Sequence, residues 1–180
     1  MSQTVDANVL LYAADETSPR HAVARRVLDG IAAGPEITYV FWPTIMAYLR
    51  IATHPAVFAR PLPARDAIAN VEALLSIPHV RAPGEQPEFW RRYAGVAADA
   101  APTGNLVPDA HIVALMLENE VRTILTHDRD FRRFRGIEAR DPFEEAKDVR
   151  RSNEALAEYR SDGGVSAEKW FGKDRKKRRK

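Results

Sequence analysis

At 180 residues, 45% hydrophobic and 29% charged, the chain has the size and composition of one soluble globular domain with a real core and little beyond it. It contains no cysteine, which excludes disulfides, thiolate metal sites and cysteine nucleophiles. Its net charge of +2 hides an asymmetry: Lys173–Lys180 holds seven basic residues and one acid, leaving a body of twenty basic and twenty-four acidic residues, so the apparent pI of 9.0 belongs to the tail and does not indicate a basic nucleic-acid face.

In chain order, Thr4 to Ala7 reads as a short buried strand, and Asn8 to Ala14 continues apolar until the polar stretch Asp15 to Pro19. No basic patch with a following apolar run marks a secretory signal, and no apolar run is long enough to span a membrane, so a cytoplasmic location is expected. His21 to Ile31 carries Ala24, Val27, Leu28 and Ile31 at the spacing of an amphipathic helix, ended by Gly34-Pro35. Ile37 to Phe41 is rich in strand formers, and Pro43 suits the first position of a helix running through Met46, Leu49 and Arg50. A proline-bearing connection, His54 to Pro63, leads to a helix over Arg65 to Ile77. Val80 is a weak strand candidate before the Pro83-Gly84 turn. Glu88 to Ala101 is predicted helical and stops at Pro102-Thr103-Gly104. Pro108 to Glu120 is the clearest helix, with Ile112, Val113, Leu115 and Met116. Val121 to Thr126 is a strand, and His127 to Phe134 leads to a short element near Ile137. Strands alternating with helices predict an α/β fold with a mostly parallel central sheet.

In such sheets, ligands gather at the carboxyl ends of strands and at helix starts. Asp6 ends the first strand, Asp109 opens the clearest helix, and Asp128 and Asp130 follow the last long strand. Each has an ordinary structural role open to it: a helix cap for Asp6 and Asp109, turn residues for Asp128 and Asp130. Their combination points further. Carboxylates brought close together repel unless a counter-charge is supplied, and a hard divalent cation such as Mg²⁺ or Mn²⁺ prefers oxygen ligands. Such an ion activates water and neutralises charge on a phosphodiester oxygen, so no protein nucleophile is required.

Three segments, Thr4–Leu11, Val107–Leu117 and Ile124–Phe134, together resemble the PIN-domain ribonucleases, specifically the VapC toxins of bacterial toxin–antitoxin pairs. They carry the resemblance through the Asp-Ala-Asn-Val-Leu-Leu opening, the Asp-Ala-His helix start and the Thr-x-Asp-x-Asp-Phe segment, in the family's order. Phe41-Trp42-Pro43 to Ile51-Ala52-Thr53-His54-Pro55 is similar to a subgroup of those toxins. The resemblance spans roughly residues 1 to 143 and implies a PIN-like, three-layer fold with helices flanking the sheet. It implies a metal-dependent endoribonuclease leaving 5′-phosphate and 3′-hydroxyl ends, neutralised by a VapB-like antitoxin and assembled as a homodimer. Asp6, Asp109, Asp128 and Asp130 would be the catalytic set, with Asp6 and Asp109 binding Mg²⁺ directly and Asp128 completing the site. Asp130 would support the cluster or bind a second ion, and Asn8 and Thr126 would orient the ligands. One departure concerns the second family helix: many members carry a glutamate where this chain has Ala47, which leaves one ion or two open. Asp15 or Glu16 is a candidate substitute.

The five histidines form no ligand set; His111 and His127 are read as structural or solvated. Arg50 suits either a phosphate or a salt bridge. Tyr39, Phe41, Trp42 and Tyr48 are read as core or protein–protein surface rather than RNA contacts. Residues 144–180 form a polar, basic extension, with a helix over Asp148 to Tyr159 anchored by Leu156 and Tyr159, a break at Ser161-Asp162-Gly163-Gly164 and a disordered basic end. The alternative readings are a catalytically weak or inactive PIN-like module that binds RNA or antitoxin, motivated by Ala47, and a small α/β phosphatase or phosphotransfer domain. The latter is disfavoured because Asp6 is followed by Ala7-Asn8 and not by a second aspartate.

Overall fold

The computed structural model describes residues 2–58 and 60–161. Five short strands, β1 (Ser2–Val5), β2 (Ile37–Tyr39), β3 (Val80–Arg81), β4 (Thr123–Leu125) and β5 (Glu138–Arg140), form one parallel sheet in the order β3-β2-β1-β4-β5. β1 is central and pairs with β2 through Thr4↔Tyr39 and with β4 through Thr4↔Ile124. From β1 the chain builds outward to β2 and β3, then crosses back to add β4 and β5 on the other side. The sheet therefore reverses its winding between β1 and β4, which in parallel sheets opens a crevice at the strands' carboxyl ends.

Parallel strands need crossover helices. These are α1 (Ala7–Ala14), α2 (His21–Ala33), α3 (Trp42–Ala52), α4 (Ala64–Leu75), α5 (Phe89–Ala100) and α6 (Leu106–Glu118); α7 (Pro142–Ser161) follows β5. One core packs Val5, Val9, Leu10, Ile31, Ile45 and Tyr48 together; the other packs Phe41, Val113, Leu115, Met116, Ile124 and Phe131. Together they give a three-layer α/β architecture with a hydrophobic core on each side of the sheet. The positions from Ile112 to Met116 are all buried, so α6 is apolar around its circumference and lies inside the fold. That burial fixes where Asp109, in its first turn, must stand.

Several boundaries differ from the sequence reading for local reasons. β1 ends at Val5 and α1 starts at Ala7, so Asp6 is the junction and not a strand residue followed by more strand. α6 starts at Leu106, two residues before Pro108, and α3 starts at Trp42, one before Pro43. First-turn N–H groups have no helical acceptor, so a proline there costs nothing and does not set the start. The segment after β4 forms a 3₁₀ turn over Arg129–Arg133, and the element near Ile137 is the edge strand β5. The C-terminal helix begins at Pro142, six residues earlier than Asp148, where Phe143 N–H donates to the Asp141 carboxylate at 2.9 Å.

The chain divides into two compact units, Met1–Phe143 and Glu144–Lys180. Ser161, where the break was expected to begin, is the last described residue of α7; the rest of that break, 162–164, and the basic end 173–180 lie outside the described residues, as do the side chains of Leu156 and Tyr159. No helix among the described residues is long and apolar enough to cross a membrane.

Candidate active site

The first carboxylate is set by the junction of strand and helix. Asp6 has extended backbone and caps α1, its Oδ1 accepting from Ala7 N–H at 2.6 Å. Its N–H donates to Leu125 C=O at 3.0 Å, which ties the end of β1 to the end of β4. Oδ2 then accepts from the Thr126 hydroxyl at 2.8 Å and from the Asn8 amide. Asn8 Nδ2 also donates to Thr126 Oγ1 at 3.0 Å, and Asn8 Oδ1 accepts from His127 N–H at 3.2 Å. Thr126, 2% exposed, receives a further bond from Asp128 N–H at 2.9 Å. Asp128 in turn caps the 3₁₀ turn, accepting from Asp130 N–H at 2.9 Å. Asp6, Asn8, Thr126 and Asp128 are thus one hydrogen-bonded network spanning the crevice between β1 and β4.

Asp109 approaches this network from the first turn of α6. It caps nothing: the residue before the helix is Asn105, which makes no side-chain cap bond. No hydrogen bond or ion pair is made by its side chain among the described residues. Burial pushes its carboxyl up to about 7, and the charges of Asp128, Asp6 and Asp130 push in the same direction. Asp6 is also raised, chiefly by burial and to a smaller degree by Asp128, against the lowering effect of its hydrogen bonds. Asp6, Asp128 and Asp130 therefore all act on Asp109, and Arg133 lies 3.9 Å from exposed Asp130. Asp15 and Glu16 do not contribute to that field; Asp15 instead accepts from the N–H and hydroxyl of Thr17.

This donor set suits a hard divalent cation in charge and atom type. Among the described residues no three acidic or histidine side chains stand at the spacing of a complete ligand set for one ion. Mg²⁺ does not require one, since it keeps several waters and takes one or two carboxylates plus substrate phosphate. Ala47 is half-buried on α3, which packs against both α1 and α6, and it supplies no carboxylate to the space those helices share.

The other candidates take other places. His111 turns from Asp109 to bond Glu85 at 2.9 Å and lies 4.8 Å from the Phe89 ring. Arg50, in the last turn of α3, makes no ion pair among the described residues. Phe41 and Tyr48 are core, Tyr39 stacks on Phe41 at 5.9 Å, and Trp42 is 44% exposed. One residue escaped the sequence reading altogether. Buried Asp141 accepts from His127 Nδ1 at 2.7 Å, anchoring the loop that carries Asp128 to the start of α7. Its signal was an aspartate directly before a proline-led helix, a capping pattern.

A family model described as PIN domain matches residues 4–137. Ribonuclease VapC48 of Mycobacterium tuberculosis is 48% identical over 143 residues, 79% of this chain and 99% of its own. Ribonuclease VapC37 of the same organism is 37% identical over 133 residues, 74% of this chain and 92% of its own. Among solved structures, VapBC2 from Rickettsia felis, bound to a DNA fragment from their promoter, matches with a TM-score of 0.58 at 12% identity, covering 78% of this chain and 98% of that one. Mycobacterium tuberculosis VapC20, described as a Sarcin-Ricin loop cleaving toxin, matches at TM-score 0.54 and 18% identity, covering 72% and 92%. At these identities the structural likeness speaks to the fold.

Proposed function

This chain belongs to the PIN-domain family, among its VapC-type members, and from that premise we propose that it is a divalent-metal-dependent endoribonuclease, the toxin of a toxin–antitoxin pair neutralised by a VapB-type antitoxin. The observation that carries the metal-dependent reading is Asp109: a carboxyl held at about 7 by burial and by three neighbouring aspartates, with no cationic partner of its own among the described residues. A site built this way wants positive charge, and RNA alone brings more negative charge. When bound, a divalent cation supplies that charge, an acidic water and neutralisation of the phosphate oxygens.

The chain's own residues divide the remaining work. Asp6 is held rigid by Ala7, Asn8 and Thr126, so its outward lone pairs have a fixed direction. Thr126 uses its single proton on Asp6 and accepts from Asn8 and Asp128, which sets Asp128 at a fixed distance from Asp6. Among the described residues Asp109 has no hydrogen-bond or ion-pair partner, which leaves its carboxylate to take up a ligand. Asp130 is exposed at the rim, near Arg133. In hydrolysis, water oxygen joins phosphorus, the P–O3′ bond breaks, and the leaving 3′ oxygen takes a proton to end as a hydroxyl opposite a 5′-phosphate. The assembly expected for the active protein is a homodimer.

The test is cleavage of total RNA by purified protein with Mg²⁺ or Mn²⁺. EDTA should stop it, and Asp6→Asn or Asp109→Asn should each abolish it. Full cleavage by either variant would overturn the assignment of these residues as metal ligands. A second reading has one observation in its favour, the absent α3 carboxylate at Ala47: a module that binds RNA or antitoxin without cutting, which predicts binding with no cleavage at any metal concentration.

A further inference from the structure

Asp128 stands in the acidic cluster without burial to keep it there. It is exposed, and its charge acts on both Asp6 and Asp109. Like charges on an exposed loop relax by moving apart, so the loop between β4 and the 3₁₀ turn has to be held against that repulsion until a counter-charge arrives. Part of the hold comes from the junction of β1 and α1. The Thr126 hydroxyl donates to Asp6, His127 N–H donates to Asn8 Oδ1 at 3.2 Å, and Asp128 N–H donates to Thr126 Oγ1. From the side of β5, Thr126 N–H donates to Arg140 C=O at 2.9 Å.

The His127 side chain adds a tie that is built more heavily than a loop histidine requires. Its Nδ1 lies 2.7 Å from Oδ2 of Asp141, whose side chain is 5% exposed. A carboxylate only accepts, so Nδ1 carries the proton. Burying a carboxylate this deeply is costly unless it is bonded. Oδ1 of Asp141 accepts from Phe143 N–H at 2.9 Å at the start of α7, while Oδ2 accepts from His127. Capping the helix needs only the first of these. The imidazole also stands edge-on to Phe143 and Tyr12, with centroids 5.5 and 6.2 Å away, and those two rings meet edge-on at 5.3 Å. Phe143 is buried, so the clamp is rooted in the core. With its backbone bonded to α1 and its ring bonded to Asp141, His127 fixes the start of the chain segment that carries Asp128.

We propose that His127 and Asp141 are positioning residues that hold Asp128 in place for the divalent cation; the inference rests on the metal-dependent reading above. Their contribution is to remove motion that the ion would otherwise have to restrain, so it is expressed in the ion's affinity. Partners that orient a ligating side chain are worth about ten- to a hundredfold in metal affinity. With the tie cut, a higher concentration of ion draws Asp128 back and the rate at saturating metal recovers. A merely structural role gives a different result: a lower melting temperature with unchanged affinity for the ion.

Two substitutions cut the tie from opposite ends. Asp141→Ser keeps a capping oxygen for α7 and is too short to reach His127. His127→Ala removes the ring. His127→Asn is the rescue, because its amide supplies an N–H donor close to where Nδ1 stood. Binding of Mn²⁺ to the RNA-free protein is read from the electron paramagnetic resonance of the free ion, well below the melting temperature of every variant. Affinity should fall about tenfold in Asp141→Ser and His127→Ala and stay near the parent's in His127→Asn. The Mg²⁺ concentration that half-saturates RNA cleavage should rise by a similar factor, with the saturated rate close to the parent's. If His127→Ala fails to fold, Asp141→Ser against His127→Asn carries the comparison. Parent-like Mn²⁺ affinity in the severed variants, beside a parent that binds Mn²⁺ and cleaves RNA, overturns this inference and leaves the nuclease reading standing. A fallen saturated rate at unchanged half-saturation overturns it in favour of a direct part in the reaction. A parent that neither binds Mn²⁺ nor cleaves RNA with Mg²⁺ overturns both.

Discussion

Asp109 carries a conflict that can be read out in stability. In the protein without added metal, its folded-state carboxyl holds a proton up to about 7, against an ordinary value of 3.8 in the unfolded chain. Between those values the folded state binds one proton that the unfolded state does not, so stability falls as pH rises. The contribution is fully present below the unfolded value and is lost as pH passes through about 7. Asp6, also raised, acts in the same direction. Asn at position 109 cannot ionise and escapes the conflict. In EDTA, therefore, Asp109→Asn should melt near the parent at acid pH and a few degrees above it at pH about 8. Adding Mg²⁺ should raise the parent's melting temperature at the higher pH and leave Asp109→Asn nearly unmoved. Thermal melts of the two proteins across pH check this, and a parent more stable than Asp109→Asn at alkaline pH in EDTA would contradict it.

At the scale of elements, Asp6 holds two jobs that substitutions can separate. It caps α1 through Ala7 N–H and it faces the cluster through Oδ2. Asn caps a helix about as well as Asp, while Ala forfeits about 1 kcal/mol. Asp6→Asn should thus lose cleavage without losing stability, whereas Asp6→Ala should lose cleavage and melt about 2–4 °C below Asp6→Asn. Equal melting of the two would mean that the cap is energetically silent. The same duality explains how much was legible beforehand. Periodicity exposed α2, α4 and α6 because each buries an apolar stripe or surface, and alternation of strands with helices gave the parallel sheet. Helix starts were misplaced at Trp42 and Leu106 because a first-turn proline looks like a boundary and is not one. β3 was faint because two residues, Val80 and Arg81, cannot display a period. At the site, Asp6, Asp109, Asp128 and Asp130 stood out as charges at element ends. Asp141 did not, since its partner His127 is fourteen residues away and only the fold joins them.

For the whole molecule the proposed reaction raises the question of how RNA would reach an acidic site on an acidic body. All four aspartates lie in the unit Met1–Phe143, while the seven basic residues of Lys173–Lys180 belong to the other unit, Glu144–Lys180. Without Lys173–Lys180 the chain counts twenty basic residues against twenty-four acidic ones, so its long-range field opposes a polyanion. The basic end reverses the sign of the total, and cations that neutralise phosphates release counterions, which makes affinity fall with salt by about 0.7 per phosphate contact on a log–log plot for single strands. If most of these seven cations engage RNA, deleting Lys173–Lys180 should lower that slope by roughly 2 to 5. It should leave the rate of cleavage at saturating RNA unchanged, because no cluster residue is touched. Fluorescence anisotropy with a short labelled RNA in the Asp6→Asn background, taken from about 50 to 200 mM salt, measures the slope. An unchanged slope would remove the tail from RNA recognition and leave the approach to the site to the neutralised carboxylates alone.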